Sequence, residues 1–162
     1  MSDYRSTGEA FQAMAHSIVW CTVATVEPDS RPRTRVLHPY WEWEGDRLVG
    51  WIATGPTSLK RAALAHSPFA SVNYWAPTHD TCAADCRASW HFDDATRQRV
   101  WDTFVALPAP VGYDPAIIPP WADGPLSPSF AALRLEPYRL RVFPGTLLLE
   151  GRGELLAWSQ SG

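Results

Sequence analysis

Ser17-Ile18-Val19-Trp20-Cys21-Thr22-Val23-Ala24-Thr25-Val26 opens the stretch that decides the fold. It continues through Arg33-Thr34-Arg35-Val36-Leu37-His38-Pro39-Tyr40-Trp41-Glu42-Trp43 to Arg47-Leu48-Val49-Gly50-Trp51-Ile52-Ala53-Thr54. The first run is rich in β-branched residues, which fit a pleated, half-buried surface. Between the runs lie Glu27-Pro28-Asp29-Ser30-Arg31-Pro32 and Glu44-Gly45-Asp46, both turn sequences. Three strands joined by short turns predict an antiparallel meander, with Arg33–Trp43 as a single strand.

Outward from this centre, Tyr4–His16 carries Phe11, Met14 and Ala15 at helical spacing and reads as a short amphipathic helix. Gly55-Pro56 stops the third strand, and Thr57 or Ser58 caps a helix over Leu59–His66. Phe69–Trp75 and Cys82–Trp90 alternate as strands. Asp93-Asp94 then opens a helix with the apolar stripe Val100, Trp101, Phe104 and Leu107. Pro108–Pro128 holds seven prolines among 21 residues, yet Val111, Tyr113, Ile117, Ile118 and Trp121 make it too apolar for a free linker. It reads as an ordered lid or packing loop. Ala131–Phe143, interrupted at Pro137, and Thr146–Trp158 are the last predicted strands. Six or seven sequential antiparallel strands with two or three helices favour a small β-barrel over a parallel sheet.

Composition narrows the function. The 162 residues, 46% apolar and 19% charged, suit one domain over 1–162 and exclude wholesale disorder. No apolar run approaches the roughly 20 residues that span a bilayer, and Met1–Arg5 lacks a signal-peptide pattern, so a soluble, cytoplasmic protein is expected. A net charge of −3 without a dense basic run argues against a nucleic-acid partner. Cys82 and Cys86 lie four apart on a predicted strand, about 13 Å at 3.3 Å per residue, which is beyond disulfide reach. His79, Cys82, Cys86 and His91 are spread along the strand in the same way, so buried, reduced thiols are expected and a metal site is not.

The most informative segment is Thr54-Gly55-Pro56-Thr57-Ser58-Leu59-Lys60-Arg61, which contains the only lysine. A strand end, a glycine turn, hydroxyls and a helix start with that lysine make a sound anion site, since helix N-terminal amides favour a phosphate. The same residues also suit an ordinary capped helix with a solvated lysine, and taken alone they favour that reading. Arg33 and Arg35 share one strand face and offer a guanidinium fork for the same anion if that face fronts the turn. By themselves they read more simply as an exposed face. His38 is the one histidine near this region. No Gly-x-Ser-x-Gly or Ser/His/Asp arrangement supports a hydrolase.

Taken in order, Val23-Ala24-Thr25-Val26, Asp29-Ser30-Arg31-Pro32, Arg35-Val36-Leu37, Gly45-Asp46-Arg47-Leu48, Thr54, Ser58-x-Lys60 and Ser67-Pro68-Phe69-Ala70-Ser71-Val72 resemble the pyridoxamine 5'-phosphate oxidase-like, FMN-binding split-barrel family. Trp101, Gly112-Tyr113-Asp114-Pro115 and Leu133-Arg134-Leu135-x-Pro137 look like its actinobacterial members. The resemblance implies a mainly β fold with α additions, a six-stranded antiparallel split β-barrel with short flanking helices. It also implies a homodimer with FMN between the subunits. Residue by residue, it puts Ser58, Lys60 and Arg35 on the phosphate, with Arg61 as a further cation. Val36, Leu37 and His38 lie beneath the isoalloxazine, and Thr54 closes the ring edge. Leu59 stands where the oxidases usually carry a second basic residue, and Leu155–Gly162 lacks their Arg-Leu-x-Pro ending, which points away from pyridoxamine phosphate as substrate. The expected function is a flavin-dependent oxidoreductase on a small substrate. The alternatives are a deazaflavin-coenzyme reductase of the same fold and a non-enzymatic flavin carrier or sensor.

Overall fold

In the computed structural model, which describes residues 2–160, the chain starts in helix α1 (Tyr4–Ile18). Asp3 caps it by accepting the Ser6 N–H at 2.9 Å. Strands β1 (Cys21–Val26), β2 (Pro32–Leu37), β3 (Pro39–Glu44) and β4 (Arg47–Thr54) follow. Next come α2 (Ser58–His66), β5 (Phe69–Trp75), β6 (Thr81–His91) and α3 (Asp94–Ala106). The chain ends with β7 (Ala131–Phe143), α4 (Gly145–Glu150) and β8 (Leu156–Ser159). Met1, Ser161 and Gly162, which the sequence reading includes in the 1–162 domain and its C-terminal departure, lie outside the described residues.

The described strands form one antiparallel sheet ordered β2-β1-β5-β6-β7-β4-β3, with β8 added on β7. The two edges, β2 and β3, are consecutive in sequence and separated only by His38. A sheet whose first and last strands are joined by one residue must curl until its edges meet at that residue. From there the edges diverge, so the barrel is split.

This corrects the predicted meander. Arg33–Trp43 is two strands, not one: β2 pairs with β1, whereas β3 pairs with β4 on the other side of the gap. The cause is local, since Pro39 has no N–H for a ladder and restricts the backbone of His38 before it. Among the described residues there are eight strands, where six or seven were expected from the sequence. The interruption at Pro137 is a bulge: Asp85 faces Arg139 and Cys86 faces Pro137, so Tyr138 has no partner in the register. The strand expected over Thr146–Trp158 is a short helix followed by β8. The Asp80 carboxylate accepts the Gly145 N–H at 2.7 Å and fixes that helix's start. Gly151, at φ 65°, ends it in the left-handed conformation that glycine adopts without steric cost.

Two cores lie on opposite faces of the same strands. Tyr40 and Trp41 are neighbours, as are Trp51 and Ile52, and each pair splits between the cores because strand side chains alternate. Inside the curled sheet, Phe11 of α1 packs with Trp41, Val72, Tyr74 and Leu135. There the Trp41 indole N–H donates to the Tyr74 hydroxyl at 2.8 Å. Gly50 makes room for the Trp41 ring, which a Cβ at position 50 would meet at 2.7 Å. Outside, α3 and the proline-rich segment cover β3, β4 and β7 through Val100, Phe104, Trp121 and Phe130. β4 is therefore buried on both faces, and its unbroken run Leu48-Val49-Gly50-Trp51-Ile52-Ala53 reflects that. Cys21, Cys82 and Cys86 are free and buried, and burial pushes the Cys21 thiol up to about 12.

Candidate functional site

The split between the edges opens into a cleft of about 450 Å³, in the range of small-molecule sites. One wall is strand: Val36 and Leu37 from the end of β2, with Ala53 and Thr54 from the end of β4. The other wall is the proline-rich segment, through Pro110, Tyr113, Ile117, Ile118 and Trp121. Trp20 and His38 complete it. No charged side chain is among the lining residues, so the cleft suits an uncharged, flat group.

Its aromatic side is organised around His38. The imidazole stacks on Tyr113, with ring centroids 5.2 Å apart and planes 27° apart, and lies 5.0 Å from Trp20. Phe104 meets it edge-on at 5.7 Å. Burial holds His38 below the ordinary imidazole value, against a hydrogen bond with the Val111 backbone that favours the charged ring. Its Nε2 is buried without a hydrogen-bond partner among the described residues. Trp121 spends its indole N–H on the Ser129 carbonyl at 2.8 Å. Among the described residues the Tyr113 phenol has no hydrogen-bond partner, and burial raises its pKa to about 12, which keeps it a donor.

Next to Thr54 stands a cationic corner. Gly55-Pro56 turns the chain from β4 into α2, with Thr57 as N-cap. Lys60 folds back, its ammonium donating to the Thr54 hydroxyl at 2.8 Å and the Gly55 carbonyl at 3.1 Å. Because α2 packs on β1, and β1 carries β2, Lys60 comes within electrostatic range of Arg35. Burial first, then the charge of Arg35, holds Lys60 below its ordinary value. Arg35 anchors one amino group on the Thr25 hydroxyl at 2.9 Å, while its Nη2 is buried without a partner among the described residues. Glu27, which favours the charged form of Arg35, is itself paired with Arg33 at 3.3 Å. A buried guanidinium nitrogen lacking an acceptor beside a second cation and the start of a nine-residue helix is a donor set for an anion.

The structure thus brings Arg35, Lys60, Thr54, Val36, Leu37 and His38 together, and places exposed Ser58 at the first position of α2. Arg61 stands apart, its guanidinium lying 5.4 Å from the Phe92 ring centroid. Arg33 and Arg35 share a face as expected, but β2 does not adjoin β4 in the sheet; α2 is what links that face to the turn. Sequence reasoning missed Thr25, which positions Arg35, and Trp20, which stood in a predicted strand with nothing to mark it. The signal for Tyr113 was present in the apolar character of Pro108–Pro128.

No protein-family model matches the chain, and no curated protein matches its sequence. Solved structures do. A Clostridium acetobutylicum protein related to general stress protein 26, of the pyridoxinephosphate oxidase family, superposes with a TM-score of 0.71 at 12% identity, over 98% of this chain and 96% of its own. A pyridoxamine 5'-phosphate oxidase-related, FMN-binding protein from Nostoc punctiforme gives 0.60 at 18% identity, over 100% and 99%. An F420 reductase gives 0.53 at 12% identity, over 78% and 92%. The fold is the split barrel of the pyridoxamine 5'-phosphate oxidase-like, FMN-binding proteins, as the sequence resemblance implies.

Proposed function

We propose that this chain is a single FMN-binding domain that acts as a flavin-dependent oxidoreductase on a small substrate. The observation that carries the reading is the pairing of Arg35 and Lys60 at the start of α2, directly beside an uncharged, flat-walled cleft. Arg35 Nη2, the Lys60 ammonium and the Ser58 hydroxyl would hold the phosphate. Val36, Leu37 and Thr54 would support the ring system, with His38 at its edge. Bound FMN supplies two-electron redox chemistry, while the protein binds it, orients it and keeps water from one face. The second reading, a deazaflavin coenzyme, draws support from the likeness to an F420 reductase. A long polyanionic tail wants cations beyond Arg35 and Lys60, and Arg61 is turned to Phe92.

A second copy of the chain as partner is supported by the rim of the cleft, where Trp20, Val36 and Ile117 are 60%, 64% and 72% exposed.

The test is the absorbance spectrum of the purified protein, followed by release and mass identification of the chromophore. FMN bands are expected, and Arg35→Ala with Lys60→Ala should weaken FMN binding on the order of a hundredfold, given the strength of charge-assisted hydrogen bonds. A colourless protein that also fails to take up added FMN overturns the flavin reading. Deazaflavin titration decides the second reading, and turnover with a reductant separates an enzyme from a carrier.

A further inference from the structure

A second hollow, of about 530 Å³, lies between α1, the turn joining β5 to β6, and the start of β8. That volume is in the range of small-molecule sites. We propose that it binds primary ammonium compounds with an apolar body, such as phenylalkylamines, with the cation between Asp80 and Glu154 and the body against α1. The hollow shares no lining residue with the cleft, so the proposal does not depend on the flavin reading.

The apolar floor follows from the helix period. Phe11 and Ala15 turn one face of α1 into the barrel, while Ala10, Ala13, Met14 and Ile18 make a second stripe along the hollow. Alanine at 10 and 13 leaves depth that larger side chains would fill. Val142 and Leu156 line the hollow with them. The charge follows from the two carboxylates. No lysine, arginine or histidine lines the hollow, and neither Asp80 nor Glu154 has an ion-pair partner among the described residues. Asp80 accepts the Gly145 N–H at 2.7 Å and the Thr78 hydroxyl at 2.8 Å. These bonds, that of Gly145 foremost, hold its carboxyl below the ordinary value and keep it anionic at neutral pH. Each of its oxygens still has a lone pair for a further donor. A hydrated metal ion is a poor match, since the walls are apolar and no three metal-ligating side chains cluster among the described residues. A second copy of the chain has no ammonium side chain to supply, because its one lysine is held by Thr54 and Gly55. A free organic amine satisfies both the walls and the charge.

The probe is 4-phenylbutylamine, cationic at neutral pH, with 4-phenylbutan-1-ol and 4-phenylbutyrate as neutral and anionic comparators. Ligand-detected NMR titrations of the full chain, with and without FMN, give the affinities. The amine is expected to bind equally in both cases, about fivefold tighter than the alcohol, with the butyrate undetected. Salt at ~0.5 M should narrow the gap between amine and alcohol. Glu154→Gln removes one charge from an exposed side chain that has no hydrogen bond among the described residues to lose. It should weaken the amine about three- to fivefold and leave the alcohol unchanged. Ala13→Trp fills the hollow from an exposed helix position and should abolish binding of both, with the thermal melt unchanged. Equal affinity for amine and alcohol overturns the proposal, as does displacement of the amine by FMN. So does unchanged amine binding in either variant. Should Ala13→Trp fail to fold, the Glu154→Gln comparison still decides.

Discussion

Three histidines are held below their ordinary value chiefly by burial: His16, His38 and His91. For His16 the reason is visible in its bonding, since Nε2 accepts the Trp41 N–H at 2.9 Å and a protonated ring has no lone pair to offer there. The folded values lie below 6.5 and the unfolded value is 6.5, so acid favours the unfolded chain. Stability is complete above that pH and is lost as pH falls below it through the folded values. Thermal melts between pH 7.5 and 5 should show Tm falling on the acid side. His16→Gln, which keeps an acceptor for Trp41, should flatten that fall; an acid limb as steep as in the parent protein would exclude His16 as its source. At this scale the sequence was most legible where a residue's role is set by its neighbours in the chain: Thr57 as cap, Lys60 after it, Asp93 before α3. It was least legible at Thr25 and His16, whose partners are distant in sequence and known only once the sheet closes.

Among the elements, the proline-rich segment between α3 and β7 carries the cleft's second wall. Its seven prolines suit a chain that must run over a surface without joining a ladder. It docks through Tyr113 N–H to the Phe104 carbonyl at 2.9 Å, and it turns at Gly112, where a Cβ would lie 1.7 Å from the Leu107 carbonyl oxygen. Gly112→Ala therefore cannot be accommodated without shifting the backbone at Gly112 or Leu107. The expected cost is about 1–3 kcal/mol, as for other overpacked sites. Urea unfolding should report that cost as a lowered midpoint; an unchanged midpoint would show that the turn at Gly112 is not close-packed. The elements also show why β-strand sequences mislead. Leu147-Leu148-Leu149 is apolar enough for a strand, but Asp80, 65 residues earlier than Gly145, fixes a helix start there. Likewise Arg33–Trp43 reads as one strand-forming run in which Pro39 is the only local interruption, and the pairing of its two halves with β1 and β4 reveals the break.

For the whole molecule, the sheet leaves β2 an exposed edge, with Val36 64% accessible beside the cleft. An apolar residue on an open edge strand invites a second chain. Light scattering is expected to give a dimer, and Val36→Asp should shift it to monomer and release FMN more readily. A dimer unaffected by this change would place the interface elsewhere. The curl itself has a consequence for engineering. Since a single residue, His38, joins the sheet's two edges, the chain length at that corner limits how far they can part. Adding one or two residues there interrupts no ladder bond, because position 38 belongs to neither strand. The corner thus acts as a hinge pin, by which the mouth of the barrel could be widened for bulkier guests without recarving its walls.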